Sequence, residues 1–490
     1  MTKRDLPLVT FLINDLSLAG EPHGVMQLAA YAKLNDWSFS IITLKEDYIK
    51  ALSNSQPQLI AASIMSSNVK DFKKSLKEIK GNFSKIPVVV GGPHATFVPE
   101  SIRELDADML VVGEGDYAFS EILKRISGRK DFENIDNVAL KNNTYNLGQL
   151  VSNLDALPDI ERSFVYDHYG RLLGNFKLKS FFTSRGCPYK CTYCFNHAYN
   201  KLYTGKGKLL RKRSVDRIID EVLRVKKEYP MEYIRFSDDV FVLHADDWLD
   251  EFRRKFKKQV GISFYCLVRA NDVNEDMVKS LKEAGCKSAC MSIESGEENI
   301  RMHILGRHMS DEKIIKAFDL FNGYGINMYT NSMIGIPGTT INDDFKSLAL
   351  ATRCRTRYSG FTIITPYPGT SFYKFCESQN FLPKGMGMEE LMSPTTGSKS
   401  VLTCFNEKEK KKQIKFIKLA PMAASFTFLR KFTVFAICYI PDNPLFDLIY
   451  WFTKNYIFSK YIVPVKFSFF DYIRLARRTL KEEMHQINKN

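Results

Sequence analysis

The sequence predicts an α/β protein: a doubly wound parallel sheet, a second series of strand and helix pairs, and a helical C-terminal region. Three observations carry this prediction. Apolar runs alternate with amphipathic stretches over residues 1–150, the same alternation resumes over residues 178–385, and it stops after Pro383. The chain has 490 residues, 44% of them hydrophobic, which is enough for several domains with sizeable cores.

Five apolar runs in residues 1–150 predict buried strands. Near-continuous apolar strands separated by helices indicate a parallel sheet covered on both faces, and such sheets bind ligands at the carboxyl ends of their strands. The segments ASIMSSN, GGPHAT and GEGDYAF follow the third, fourth and fifth of these strands. One glycine at a strand end indicates only a tight turn, but three such loops at one sheet edge predict a ligand site.

Three of the ten cysteines, Cys187, Cys191 and Cys194, lie within eight residues. Thiolates this close on one loop can share a soft metal centre, and three on a four-iron cluster leave one iron open to another ligand. The alternative is zinc with His197, at a spacing unlike that of common zinc fingers. A disulfide is not expected, because three is odd and the N-terminus shows no secretory pattern, so we expect a reducing, cytoplasmic compartment.

The pattern Cys-x-x-x-Cys-x-x-Cys, with Tyr193 just before its last cysteine, resembles the signature of radical S-adenosylmethionine (SAM) enzymes. The resemblance implies that Cys187, Cys191 and Cys194 hold a 4Fe-4S cluster and that SAM binds the fourth iron. It further implies that an electron from a flavodoxin or ferredoxin-type donor cleaves SAM to a 5'-deoxyadenosyl radical. The fold it implies is a partial (βα)6 TIM barrel, with its reaction centre at the carboxyl ends of the strands.

Residues that end the later barrel strands match the SAM contacts of this family. Asp238 and Asp239 stand where many members have the Gly-Gly-Glu that meets the SAM amino group, although adjacent aspartates also suit a helix N-cap. The other implied contacts are Tyr193, Arg269 at the SAM carboxylate, Ser292 and Glu294 at the ribose, and Pro337 and Gly338 beside the adenine. For Arg269 the alternative is a surface ion pair.

The segments VVVGGPHATFVPE and LVVGEGDYAFSEIL resemble the cobalamin-binding domain that precedes the barrel in one large radical SAM subfamily. The cobalamin contacts it implies are Ser63, Met65, Gly91, Gly92, Pro93, His94, Gly113, Glu114 and Gly115. The Asp-x-His-x-x-Gly motif of domains with a histidine ligand is absent, because eight positions separate Asp15 from His23. We therefore expect His23 to be a loop residue, not a cobalt ligand. A domain of this fold that holds no cofactor is the alternative.

These resemblances imply an enzyme that methylates an unactivated carbon of a small or amphiphilic substrate through the 5'-deoxyadenosyl radical and methylcobalamin. One alternative keeps cobalamin but closes a ring or rearranges carbon. A tRNA methylthiotransferase fits less well, because residues 1–150 contain no cysteine, and the cysteine triad argues against a non-catalytic cobalamin sensor. A second cluster is not expected, because only Cys286 and Cys290 are close among the other cysteines.

The predicted organisation is a cobalamin-binding Rossmann-like domain over 1–150, a linker over 151–177, a radical SAM barrel over 178–385 and a basic, aromatic-rich helical region over 386–490. Residues 401–490 hold sixteen Lys and Arg against seven Asp and Glu, so +9 of the net charge of +15 lies there.

The C-terminal region has no apolar run long enough to span a bilayer. Its helical stretches, broken at Pro441, Pro444 and Pro464, either pack over the barrel mouth or lie on an anionic membrane with a lipid-like substrate nearby. The second option would place a cytoplasmic enzyme at the inner face of the membrane. Nucleic acid is not expected as a partner, because the sequence shows no RNA-binding module.

Overall fold

A computed structural model of the chain describes residues 6–15, 21–141, 145–168, 173–385 and 399–465. It contains two six-stranded sheets, a small two-stranded ribbon and a set of C-terminal helices. The predicted α/β class, with two successive sheets and a helical C-terminal region, is confirmed.

The first sheet comprises β1 (Leu8–Ile13), β2 (Ser38–Thr43), β3 (Leu59–Ser63), β4 (Val88–Gly91), β5 (Met109–Val111) and β6 (Val138–Leu140). Its order is β2-β1-β3-β4-β5-β6; the first five strands are parallel, and β6 is antiparallel to β5 at the edge. The helices are α1 (His23–Leu34), α2 (Tyr48–Ser55), α3 (Val69–Asn82), α4 (Pro93–Phe97) and α5 (Asp116–Ser127). Separate apolar cores cover its two faces, which makes the sheet doubly wound.

The second sheet contains β7 (Leu178–Phe181), β10 (Tyr233–Phe236), β11 (Ser263–Leu267), β12 (Cys286–Cys290), β13 (Asn327–Ile334) and β14 (Tyr358–Ile363). These strands are all parallel and lie side by side in chain order, which is the order of a partial barrel. Strands β8 (Ser184–Arg185) and β9 (Arg211–Lys212) form the ribbon between β7 and β10.

In the described residues, seven α-helices follow α6 (Ser163–His168) and accompany the second sheet, ahead of the C-terminal helices. They are α7 (Phe195–Leu202), α8 (Val215–Glu228), α9 (Asp247–Gln259), α10 (Glu275–Ala284), α11 (Asp311–Gly323), α12 (Ile341–Arg353) and α13 (Ser371–Ser378). Alternate strand residues, such as Ile234 and Phe264, pack against this helical layer. Their neighbours Tyr233 and Tyr265 face the interior of the partial barrel.

The chain returns to cover that interior face. A π-helical turn over Phe458–Ile462 lies across the strands. The Ser288 hydroxyl donates to the Ile462 carbonyl at 2.6 Å, and the Phe458 ring lies 5.5 Å from that of Tyr329. Val465 joins the same apolar cluster as Tyr233. Residues 458–465, the inner plug, therefore fill part of the space that a closed barrel would fill with strand side chains.

The C-terminal helices are α14 (Glu407–Ser425), α15 (Arg430–Tyr439) and α16 (Pro444–Ile457). Helix α14 packs through Phe416 and Leu419 against β14 and α12, so it covers the open edge of the second sheet. The predicted break at Pro441 falls between α15 and α16, and Pro444 is the first residue of α16. Pro464 follows the inner plug's helical turn, but Pro421 lies inside α14. In the parts of the chain that the structure describes, the helices are too short or too polar to cross a membrane.

Candidate functional site

A cavity of about 560 Å³ lies where the carboxyl ends of the first sheet face the second domain. Ser63, Gly91 and Gly92 line it from the first sheet, and Gly186 and Asp239 line it from the barrel side. Parallel sheets bind their ligands at this end, so the cavity joins the ligand faces of both sheets.

The part of the cavity inside the first domain is apolar. Phe11, Ala61, Val89, Val111 and Phe119 line it, between the strands and helices α1 and α5. Apolar walls of this kind bury a flat aromatic base, such as the nucleotide end of cobalamin, without leaving a polar group unpaired. The residues present therefore fit the cofactor that the glycine loops imply.

Most of the predicted cobalamin contacts border this cavity: Ser63, Gly91, Gly92, Pro93, Gly113, Glu114 and Gly115. Two others do not. The side chain of Met65 is 54% exposed, and His94 is buried with its Nδ1 at 3.2 Å from the Ser66 hydroxyl. His94 therefore helps to hold the loop after β3, and the structure does not bring it to the cavity.

At two of the predicted glycines, another part of the chain lies too close to the backbone to leave room for a side chain. Gly92 has a φ of +95°, and a Cβ there would lie 2.9 Å from backbone atoms of Ile64. At Gly113 a Cβ would lie 1.8 Å from the hydroxyl of Tyr203, which reaches across from the end of α7. Glycine at 113 thus admits a tyrosine of the barrel domain, a role that the loop sequence alone did not reveal.

Glu114 connects the domains. Its carboxylate lies 2.9 Å from Arg211 and 3.3 Å from Arg185, and it accepts from the backbone N–H of Val151 at 2.8 Å. Although Glu114 borders the cavity, its charge is thus already balanced by two arginines, and its main partners are protein groups.

His23 is the first residue of α1 rather than a loop residue, and its ring borders the cavity. Its Nε2 lies 2.8 Å from the Ser180 hydroxyl and 3.2 Å from a Glu21 oxygen. One ring nitrogen is therefore engaged with protein partners. That His23 does not bind cobalt stays a prediction.

The cysteine loop begins after β8, at the carboxyl end of the second sheet. Cys187 and Cys191 are buried and Cys194 is half-buried. Burial raises the pKa of Cys187 to about 11 and that of Cys194 to about 12, so these thiols stay protonated until a metal displaces the protons.

In the described parts of the chain, no three His, Cys, Asp or Glu side chains converge on one metal ion. A 4Fe-4S cluster takes each thiolate on a different iron, so three thiols on one short loop fit it without such convergence. Cys286 packs in the helix-facing core and Cys290 in the interior cluster, so these two face opposite sides of β12.

Two arginines adjoin Cys191. The Arg269 Nη1 lies 3.1 Å from the Cys191 sulfur, and its guanidinium stacks over the Tyr189 ring at 3.7 Å. Arg307 is also close to Cys191, and the charge of that thiolate contributes to the raised pKa of Arg307. The sequence prediction included Arg269 but not Arg307, which follows a glycine in a loop with no recognisable pattern.

The two predicted aspartates after β10 have different surroundings. Asp238 is buried, and its Oδ1 accepts from the Thr183 backbone at 2.9 Å and from the Ser184 hydroxyl at 2.6 Å. It therefore fixes the turn that leads into the cysteine loop, and the structure does not bring it to the cavity. Asp239 does line the cavity, and desolvation there raises the pKa of its carboxyl.

Ser292 and Glu294 follow β12 as predicted and lie beside the cysteine loop. The Tyr193 hydroxyl donates to Glu294 at 3.0 Å, and Arg307 donates to the Ser292 carbonyl at 2.6 Å. The structure thus brings together three of the residues predicted from the sequence, Tyr193, Ser292 and Glu294, and Arg307 lies between them.

Pro337 and Gly338 form the turn after β13, and Gly338 has a φ of +87°. The C-terminal region contacts the start of this segment, because Gln413 of α14 packs directly against Gly335. Neither Pro337 nor Gly338 is among the residues that line the cavity, and their place beside the adenine of SAM stays a prediction.

Helix α7 links the two groups. Phe195 stacks on Phe97 of the first domain at 4.6 Å, Asn200 donates to the Cys187 carbonyl at 2.8 Å, and Tyr203 reaches Gly113. Sequence reasoning missed these residues, although aromatic residues at every fourth position after Cys194 indicate one face of a helix.

Two family profiles match the chain. Residues 9–123 match the B12 binding domain, and residues 181–350 match the Radical SAM superfamily. The first match contains the predicted glycine loops, and the second contains the cysteine triad.

The chain is also similar to curated and solved proteins. An uncharacterized methyltransferase of Pyrococcus horikoshii is 29% identical over 376 residues, which are 75% of this chain and 78% of that protein. The cobalamin-dependent SAM radical enzyme OxsB, solved with aqua-cobalamin and SAM, aligns with a TM-score of 0.64 and 16% identity over 98% of this chain and 76% of that one. The methyltransferase TsrM of Kitasatospora setae, solved with cobalamin and a [4Fe-4S] cluster, has a TM-score of 0.62 and 17% identity over 78% of this chain and 76% of that one.

Proposed function

Because the chain combines a B12-binding domain with a radical SAM domain, it is a member of the cobalamin-binding radical SAM family, and we propose that it methylates an unactivated carbon of a small or amphiphilic substrate. Its cofactors are a 4Fe-4S cluster, SAM and cobalamin. When bound, these groups supply a carbon-centred radical and the methyl group that meets it.

The observation that carries this proposal is the shared cavity. A methyl donor in the first domain and a radical source in the second must reach one carbon atom, and the cavity is lined by both domains. The largely apolar walls exclude water, which would otherwise quench a radical. Helix α7 fixes the position of the cysteine loop relative to the first domain through the contacts of Phe195 and Tyr203.

The role that we propose for the protein's own residues is to hold and orient the three cofactors. Cys187, Cys191 and Cys194 would hold the cluster. Ser63, Gly91 and Gly92 would hold cobalamin, with Gly92 allowing close backbone approach. The SAM contacts we propose are Tyr193, Asp239, Ser292, Glu294, Pro337 and Gly338.

The test is anaerobic incubation of reconstituted protein with SAM labelled in its methyl group and with lipid and metabolite extracts, read by mass spectrometry. We expect 5'-deoxyadenosine and a product that carries the label. Cys191→Ala should yield neither, whereas Cys354→Ala, at a cysteine buried in the helix-facing core, should retain both. Formation of 5'-deoxyadenosine with an unlabelled, cyclised product would favour ring closure instead.

We further propose a flavodoxin or ferredoxin-type electron donor that docks beside the cysteine loop. Lys190 and Lys201 are exposed there and flank His197. Burial, together with the charges of Lys201 and Lys190, lowers the pKa of His197 below its ordinary value, so the three side chains are close neighbours. A basic rim of this kind suits an acidic carrier protein.

We also propose that α15 and α16 bind the surface of an anionic membrane. Eight of the thirteen exposed large hydrophobic side chains of the described residues lie between Phe428 and Tyr456. Phe432, Phe435 and Tyr439 form one stripe along α15, at helical spacing. Apolar stripes in a region with excess positive charge are typical of helices that lie flat at an interface.

A further inference from the structure

The three cysteines of the loop have unequal surroundings. The backbone N–H groups of Tyr189 and Asn196 lie beside Cys187 and Cys194 respectively. Cys191 instead faces the guanidinium groups of Arg269 and Arg307.

Both arginines are fixed by other contacts. Arg269 is 6% exposed, stacks on Tyr189, and donates through Nε to Asn271 at 3.2 Å. Tyr189 is itself anchored by a hydrogen bond to Asp272. Contacts with the surrounding loops therefore fix the orientation of the Arg269 guanidinium toward Cys191, and this orientation does not require the hydrogen bond to the thiol.

The two arginines differ in how their charges are balanced. Arg307 lies 3.8 Å from the Glu294 carboxylate, whereas Arg269 forms no close ion pair among the described residues and interacts with the Asp272 carboxylate only at longer range. In a buried site, an arginine with no carboxylate in direct contact acts strongly on the group that its N–H faces.

We propose that Arg269 donates a hydrogen bond to the Cys191 thiolate of the bound cluster and thereby raises the reduction potential of that cluster. The inference rests on the proposed function only in requiring a bound cluster. Reduction adds negative charge to the iron and sulfur atoms, and an N–H donor with a full positive charge stabilises that form. Arg269 is then a positioning and tuning residue, distinct from the SAM-carboxylate role that its place in the sequence suggests.

The experiment is a redox titration of the reconstituted, SAM-free protein, followed by the EPR signal of the reduced cluster. For Arg269→Gln we expect the ratio of reduced to oxidised cluster at a fixed potential to fall about tenfold, equivalent to about 59 mV for one electron. Arg269→Lys keeps the charge but loses the fork, so its potential should fall less. Arg253→Gln removes an equal charge from the exposed surface of α9 and should leave the potential unchanged.

Addition of SAM separates the two roles of Arg269. A wild-type potential in Arg269→Gln, with a weaker SAM-induced change in the EPR signal, would overturn the proposal and support the SAM-carboxylate role. Iron and sulfide analysis accompanies each titration. If Arg269→Gln loses its cluster, the cluster potential of Arg269→Lys becomes the test. A wild-type potential in Arg269→Lys would then overturn the proposal. A wild-type protein that assembles no cluster would instead refute the proposed function.

Discussion

Glu294 combines an unusual backbone with a central place beside the cysteine loop. Its φ of +68° lies in the left-handed region that few residues other than glycine adopt. Its backbone is held from both sides, because its N–H donates to Asn331 and its carbonyl accepts from Met333. A strained residue fixed in this way is typical of a binding site, because the strain aims the side chain. The resemblance of its segment to the ribose contact of radical SAM enzymes predicted Glu294 as a site residue, but not its conformation.

Asp344, beneath the turn after β13, gives a pH-dependent prediction. Burial raises the pKa of this carboxyl from its ordinary 3.8 to about 7, and the neighbouring Asp343 adds to the rise. Between about pH 4 and 7 the folded protein binds a proton that the unfolded chain has released, so stability falls as the pH rises through this window. Asp344→Asn cannot ionise and should be more stable than wild type above pH 7, by at most about 4 kcal/mol, with no difference below pH 4.

Urea unfolding at several pH values measures this difference. Asp343→Asn is the matched control: burial opposes ionisation there, but Lys346 and the hydrogen bonds of Thr340 outweigh it and lower the pKa of Asp343. That substitution should destabilise the protein at neutral pH. Equal stability of Asp344→Asn and wild type at pH 8 would contradict the argument.

The cobalamin pocket can be tested at Gly91 without backbone strain. Unlike Gly92, it has no positive φ, and a Cβ there meets only Val111, at 3.7 Å. Gly91→Leu should therefore fold but abolish cobalamin binding, measured by the absorbance of the reconstituted protein. Gly81→Leu, at the surface end of α3, should bind normally.

His23→Ala tests the cobalt ligand. It should leave the cobalt spectrum unchanged, because its Nε2 is already engaged with Ser180. Loss of an imidazole signature in this variant would show that the histidine does bind cobalt.

Some site residues could not be assigned from the sequence. Asp238 and Asp239 are adjacent acids, and which of them turns inward depends on Thr183 and Ser184, more than fifty residues earlier. Local patterns identify a polar residue at a strand end, but only packing decides whether its partner is a ligand or the protein itself.

At the scale of whole elements, the long apolar strands were predictable because burial on both faces leaves a continuous apolar run. The edge strand β6 was not predicted, since its three residues give too short a pattern. Pro421 is a second case: proline usually ends a helix, but α14 continues through it because one face is buried against β14.

The apolar stripe of α15 provides a prediction at this scale. Replacing Phe432, Phe435 and Tyr439 with serine should weaken binding to anionic vesicles by tenfold or more, since burial of each ring stabilises by roughly 1.5 kcal/mol or above. These side chains are 59%, 54% and 75% exposed, so thermal stability should change little. Flotation with vesicles at low and high salt is the measurement.

The control replaces three exposed hydrophobic residues elsewhere, Leu34, Tyr117 and Leu223, with serine. It should bind vesicles as wild type does. High salt should weaken wild-type binding without eliminating it, because only the electrostatic part is screened. Absence of wild-type protein from floated anionic vesicles at low salt would refute membrane binding.

Across the whole molecule, the two domains are joined by a buried ionic network centred on Arg162. Its guanidinium lies 2.9 Å from Glu21 of the first domain, 3.1 Å from Glu221 of α8, and 2.8 Å from the Ser180 carbonyl of β7. Burial alone would raise the pKa of Glu21, but Arg162 and the hydrogen bonds of His23 and Ser180 hold it well below its usual range. The sequence did not predict this network, because its members come from four separate segments.

Arg162→Met should destabilise the protein by about 3–5 kcal/mol, because it leaves the buried carboxylate of Glu21 without its arginine and removes one of the two arginines of Glu221, which keeps Arg213. The measurement is urea unfolding followed by fluorescence and by limited proteolysis near residues 151–177. Arg125→Met removes more exposed ion pairs and should cost less than about 1 kcal/mol. Similar unfolding free energies for the two variants would refute the role of Arg162.

The inner plug has a consequence for synthesis on the ribosome. Residues 458–465 come late in the chain, yet they cover an interior face built from strands that begin at Leu178. Translation adds roughly 5–20 residues per second, so that face stays open to water for many seconds after the cysteine loop has left the exit tunnel. During this interval a nascent barrel is accessible to chaperones and to the machinery that delivers iron and sulfide, and arrival of the plug ends that access.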